Sequence, residues 1–63
     1  MDLINVVITL LNADGKKIFN KQLMNDPEMM NWVATQYAEV NLAQVTIRDE
    51  SGKVLAFTGN EPV

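Results

Sequence analysis

Alternation decides what the first third of this chain can fold into. Ile4, Val6, Ile8 and Leu10 occupy every second position, so in an extended strand they share one face. Asp14-Gly15 follows, a favoured pair for a two-residue type I′ loop. Residues 3 to 24 are therefore predicted to form a β-hairpin. With Asp14-Gly15 as the loop, Leu10 is expected opposite Phe19, Val6 opposite Leu23 and Lys21 opposite Ile8. Lys21 then suits an edge, its stem packed and its amine in water. The other face carries Val7, Thr9, Leu11, Ile18, Asn20 and Gln22. Being only half polar, it is expected to be partly covered or to serve as an interaction surface.

A helix follows. Asp26 is a natural N-cap, Pro27 suits the first helical position, and Glu28 favours the positive end of the helix dipole. The helix is predicted from Pro27 to about Val40, with Asn41 as a left-handed C-cap. Met30, Val33, Ala34, Tyr37 and Val40, at spacings of three and four, form the expected buried stripe. Residues 43 to 58 read as a second hairpin. A three-residue loop, Glu50-Ser51-Gly52 with Gly52 left-handed, sets Asp49 opposite Lys53, Ile47 opposite Leu55 and Val45 opposite Phe57. A two-residue Ser51-Gly52 loop would pair Ile47 with Ala56 and mix the faces, so the longer loop is preferred. The tail from Gly59 to Val63 is expected to fray. The result is one small α+β domain over residues 1–63, in the order β-β-α-β-β, with one helix packed on an antiparallel β-sheet.

Composition narrows the chemistry. The 63 residues include no cysteine and no histidine. That removes thiol nucleophiles, disulfides, Ser-His-Asp or Cys-His catalysis and Cys/His zinc sites. Asp49-Glu50 at a hairpin tip and Asp26/Glu28 at a helix start are explained by turn and cap chemistry. The glycines lie in turns or the tail, so no phosphate-binding loop exists. No enzyme activity, cofactor or metal is expected. The longest apolar stretch, from Val6 to Leu11, is far short of the roughly 20 residues that span a bilayer. No basic segment precedes it, so neither a signal peptide nor a membrane association is expected, and the cytoplasm is the default. A chain this short buries a limited share of its surface, so its stability should be marginal.

Five Lys and Arg against eight Asp and Glu give a formal charge of −3. Nucleic acid is then a poor partner, because phosphate binding needs a positive stripe, and Phe19 and Phe57 are assigned to the core. An acidic exterior suits a protein whose cleft is basic, such as a nuclease. Trp32 is the most informative residue. On a helical wheel it lies roughly 140° from the centre of the apolar stripe. A helix rotation or a segment folded over the indole would explain it structurally. The functional reading is a partner-binding anchor, with Thr35, Gln36 and Glu39 as its polar rim. Asn41 is explained as a helix cap. Met24, Met29 and Met30 are read as core gap-fillers.

The run Trp32-Val33-Ala34-Thr35-Gln36-Tyr37-Ala38-Glu39-Val40-Asn41 closely resembles the helix of the Dmd proteins ("discriminator of mRNA degradation") of T-even-like bacteriophages. The likeness is strongest from Thr35 to Asn41 and extends weakly to Leu3, Val6, Val7, Phe19 and Lys21. The first turn and the second hairpin depart from the family pattern. The resemblance implies a phage antitoxin that binds directly in a groove of a host endoribonuclease toxin of the RnlA/LsoA type and so protects phage mRNA. It places the protein in the cytoplasm of the infected bacterial host. It also implies that Trp32 and Asn41 are toxin contacts, which gives Asn41 a binding role beside its structural one. Two other classes stay open: a small nucleic-acid-binding module, and a self-associating regulatory module in which a homodimer buries Trp32.

Overall fold

The computed structural model describes residues 2–59 and contains the five expected elements. They are β1 (Leu3–Asn12), β2 (Gly15–Met24), α1 (Pro27–Asn41), β3 (Gln44–Asp49) and β4 (Val54–Gly59). All four strands are antiparallel and form one sheet in the order β2-β1-β3-β4, which leaves β2 and β4 as edges. This is the α+β, β-β-α-β-β fold. Of the tail expected to fray, Asn60 to Val63 lie outside the described residues, whereas Gly59 pairs with Gln44 at the end of β4. Among the described residues no helix is long and apolar enough to cross a membrane.

The first hairpin corrects the expected register. Its loop is Ala13-Asp14, and Asn12 pairs with Gly15. Each pairing moves by two residues, so Ile8 faces Phe19, Ile4 faces Leu23, Val6 faces Lys21 and Leu10 faces Lys17. The cause is local. Asn12 Oδ1 accepts the Asp14 N–H at 2.9 Å, and Gly15 takes φ 125 just beyond the loop. A type I′ loop needs positive φ at both central residues, and neither Ala13 nor Asp14 has it. Because strands repeat every two residues, the shift leaves both faces as predicted.

The helix begins as its sequence dictates. Asp26 is extended, and its carboxylate accepts the Glu28 N–H at 3.0 Å ahead of Pro27. Its end differs from expectation. Asn41 stays helical, because its Nδ2 donates to the Tyr37 carbonyl at 2.9 Å and its own carbonyl accepts from Asn12 Nδ2 at 3.3 Å. The left-handed residue is Leu42, at φ 50 and ψ 53, with its N–H directed to the Ala38 carbonyl. A leucine here carries a steric cost of about 1 kcal/mol that glycine avoids. Leu42 is 78% exposed, so little packing is at stake. Leu42→Gly should therefore stabilise the fold by about 0.5–1 kcal/mol and raise the melting temperature by about 5 °C. Thermal denaturation followed by circular dichroism measures it.

The buried helix residues are Met30, Ala34 and Ala38, with Val33 and Tyr37 packed partly against them. Val40 is 80% exposed, which corrects its place in the stripe. Ala38 occupies that place because Met30, Ala34 and Ala38 form one ridge at spacing four. Two alanines on the ridge let the helix approach the sheet closely, and it lies mainly over β3 and β4.

That close approach explains the second hairpin. The predicted three-residue loop is present: Gly52 has φ 92, and the Asp49 N–H donates to the Lys53 carbonyl at 3.0 Å. A β-bulge then interrupts the ladder between Ile47 and Arg48. Arg48 pairs with Val54, but Ile47 pairs with Ala56 and Val45 with Thr58, so Leu55 is the extra residue. Phe57 is thereby turned to the sheet face away from the helix and is 59% exposed, not buried. The bulge puts small Ala56 beneath α1, where a Phe ring would hold the helix off the sheet.

The central row on the helix-facing side is Phe19, Ile8, Ile47 and Ala56. Ile8 and Ile47 are fully buried, and Val6, Leu10, Leu23, Ala43 and Val45 complete the core around them. Side-chain size falls from Phe19 on β2 to Ala56 on β4. The helix is seated over the small end, and the large end is met by Tyr37, edge-on to Phe19 with ring centroids 5.5 Å apart. A groove is left between α1 and β2.

At the tip of the second hairpin Asp49 is a structural cap, as turn chemistry predicts. Its Oδ1 accepts from Ser51 Oγ at 2.6 Å, Ser51 N–H at 2.9 Å and Lys53 N–H at 3.0 Å. The Ser51 hydroxyl chiefly, then the two amides and the nearby Lys53 charge, hold the carboxyl below its ordinary value of 3.8. A depressed folded-state pKa means that the contribution is present above pH 3.8 and is lost as pH falls through the lower folded value. Acid should thus loosen this tip below about pH 4. In Asp49→Asn that step in amide exchange of Ser51 and Lys53 should disappear, which NMR at descending pH reads directly.

Candidate functional site

Two residues beyond Met30 on a helix is a rotation of about 200°, so burying Met30 turns Trp32 to the opposite side. The indole is 61% exposed, as the wheel predicts. It does not stand alone. Trp32, Gln36 and Val40 follow one another at spacing four and make a ridge along the helix flank. Between this ridge and β2 runs a groove of about 350 Å³, lined also by Val33, Tyr37, Leu23, Lys21 and Asn41. Its surface is almost wholly apolar. The Lys21 amine donates to the Tyr37 hydroxyl at 2.9 Å and lies 5.6 Å from the centre of the Tyr37 ring.

Asn41, in the groove lining, is half-buried. Its Nδ2 is committed to the Tyr37 carbonyl. Its Oδ1 accepts no hydrogen bond among the described residues and is the group free to meet a donor on a partner. Gln36 is exposed on the ridge beside Trp32.

Thr35 and Glu39 sit elsewhere. They line a separate hollow on the other flank with Ala38, Leu42, Thr58 and Gly59. The Thr35 hydroxyl is taken up by its own helix, donating to the Asn31 carbonyl at 2.8 Å. The structure therefore brings Trp32, Gln36 and Asn41 to one groove and sets Thr35 and Glu39 apart from it. A larger hollow of about 620 Å³ lies along β1 and β2, where Asn5, Asn20, Gln22 and Glu50 mix with Val6 and Val7, and it has no aromatic anchor.

Sequence reasoning missed Val40, Leu23 and the Lys21–Tyr37 pair as parts of the site. For Val40 a signal existed: it lies eight residues after Trp32, on the same ridge at spacing four. The β2 contribution had none, since it depends on the helix being seated over β3 and β4. Among the described residues no group of three or more Asp and Glu could hold a metal ion.

No family model, curated protein or solved structure matches this chain.

Proposed function

We propose that this protein is a stoichiometric protein inhibitor, a phage antitoxin that binds a host endoribonuclease toxin of the RnlA/LsoA type. The observation that carries the reading is the exposed Trp32 on the rim of an apolar groove. An exposed indole beside an apolar groove with polar groups at its rim is the composition of a binding hot spot. The resemblance of Trp32 to Asn41 to the Dmd helix supplies the toxin class. In this mechanism Trp32 enters a pocket on the toxin and Gln36 and Asn41 satisfy polar groups around it. Glu28 and Glu39, within about 40° of Trp32 on the helical wheel, face a basic RNA-binding cleft and block access to it. No reactive side chain is required, and inhibition reaches completion at one inhibitor per toxin site.

The test is co-purification with an RnlA/LsoA-type toxin followed by an RNA cleavage assay. Cleavage should fall linearly with added protein and vanish at equivalence. Full cleavage at a tenfold excess of inhibitor would reject the reading. A second reading, self-association, is favoured by one observation. Ile18 and Phe57, both more than half exposed, stand on the uncovered sheet face. Sedimentation across a concentration series distinguishes it, because a homodimer through that face would form without any toxin.

A further inference from the structure

The edge strand β2 has a charge opposite to that of its own protein. Its ten residues contain Lys16, Lys17 and Lys21, three of the five cations in the chain, and no acid. A strand of +3 therefore borders one side of a protein whose total is −3. Its backbone is also poised outward. The Asn25 N–H donates to the Asp2 carbonyl at 3.0 Å, which fixes the phase of the β1–β2 ladder. Antiparallel bonds alternate, so the N–H and C=O groups of Lys16, Ile18, Asn20 and Gln22 point away from β1. They form an unpaired ladder long enough for a strand of seven or eight residues, by the usual rise of about 3.4 Å per residue.

We propose that the β2 edge is a docking ladder for an extended segment of a partner protein that alternates apolar and acidic side chains. Such a segment adds a fifth strand beside β2. Apolar side chains of one parity then meet the groove between β2 and the Trp32–Gln36–Val40 ridge, which is itself apolar. Side chains of the other parity lie on the outer sheet face beside Lys16 and Ile18. Lys16 meets the acidic side chains on the outer face, and the +3 charge of the strand as a whole favours an acidic partner. The lysines also disfavour a second copy of this chain, because pairing two β2 edges would set three ammonium groups against three. The inference shares the Trp32 wall with the antitoxin reading but does not need the partner to be a ribonuclease.

The experiment uses the full chain and a ten-residue peptide alternating valine and glutamate, with a valine–lysine peptide as control. Amide exchange by NMR should slow at least tenfold at Ile18, Asn20 and Gln22 with the glutamate peptide, and Trp32 fluorescence should shift to the blue. The lysine peptide should do neither. Asn20→Pro removes one outward N–H and leaves the bonds to β1 in place, so the fold should persist and peptide binding should weaken at least tenfold. Gln22→Pro is the second variant if the first melts early, and Lys16→Glu, on the face that receives the acidic side chains, should weaken the preference for glutamate. No protection on β2, equal protection by both peptides, or stronger protection by an oligouridylate than by the glutamate peptide would overturn the proposal. Toxin inhibition is read in parallel. Protection by the peptide without any toxin inhibition keeps the docking ladder and rejects the antitoxin reading. Toxin inhibition that survives both proline variants, with no peptide protection, does the reverse.

Discussion

Trp32→Ala should abolish inhibition of an RnlA/LsoA-type toxin while leaving the protein as stable as before. The indole is 61% exposed and takes no part in the Met30–Ala34–Ala38 ridge, so truncating it removes little from the core. A change in unfolding free energy within about 0.5 kcal/mol is expected. Binding should behave differently. A buried interface Trp typically accounts for about 2–4 kcal/mol on truncation, a loss of roughly 30- to 1,000-fold in affinity. An inhibitor that titrates the toxin at nanomolar concentration would then need from tens of nanomolar to about micromolar amounts. Calorimetric titration of the toxin gives the affinity, and denaturant melts of the free variant give the stability. Unchanged affinity would remove Trp32 as the anchor. A large loss of stability would mean that the indole is part of the fold. Val40→Ala serves as an internal comparison, since Val40 stands on the same ridge and is 80% exposed. Its effect on toxin affinity should be smaller, near tenfold, because a valine presents far less apolar area than an indole.

The sequence was legible wherever a short-range rule governs. Asp26-Pro27 specifies the helix start through one side-chain bond and one fixed dihedral, and the structure has both. Alternation from Ile4 to Leu10 specifies which face is buried, and that survives even a two-residue error in register. Trp32 could be placed outward from helical periodicity alone. What was not legible depends on one tertiary quantity, the spacing between the helix and each strand. Val40 is a better hydrophobe than Ala38, so composition prefers it for the core. The sheet prefers Ala38, because the helix sits close to β4. The same spacing turns Phe57 outward through a bulge and opens the groove on the β2 side. That Thr35 and Glu39 line a different hollow from the one beside Trp32 was hidden for a related reason. All three lie on the outer half of the wheel, and only the position of the sheet shows that they border different hollows.

Ile47→Ala should come close to unfolding the protein, whereas Phe57→Ala should barely weaken it. The two residues are ten apart, and a pattern-based assignment puts both in the core. Ile47 is fully buried, pairs with Ile8 on one side and Ala56 on the other, and lies at the centre of the sheet. Removing its branched side chain should cost about 2–5 kcal/mol, because closely packed neighbours collapse only partly into the cavity. A domain of this length has a total stability of roughly 3–9 kcal/mol, at about 0.05–0.15 kcal/mol per residue. The loss is therefore a large fraction of the whole. Phe57 faces solvent over more than half of its surface, opposite Thr46, and its truncation should cost less than about 1 kcal/mol. Urea denaturation of the two variants separates them. If Phe57→Ala proved as damaging as Ile47→Ala, the bulge would be absent and the second hairpin would keep the unbroken register. A partner that binds only the folded form should also restore Ile47→Ala, by about 2.7 kcal/mol at a hundredfold excess over its dissociation constant. Recovery of the melting transition on adding toxin, absent for Ile47→Ala combined with Trp32→Ala, would tie the weak core and the exposed anchor into one thermodynamic cycle.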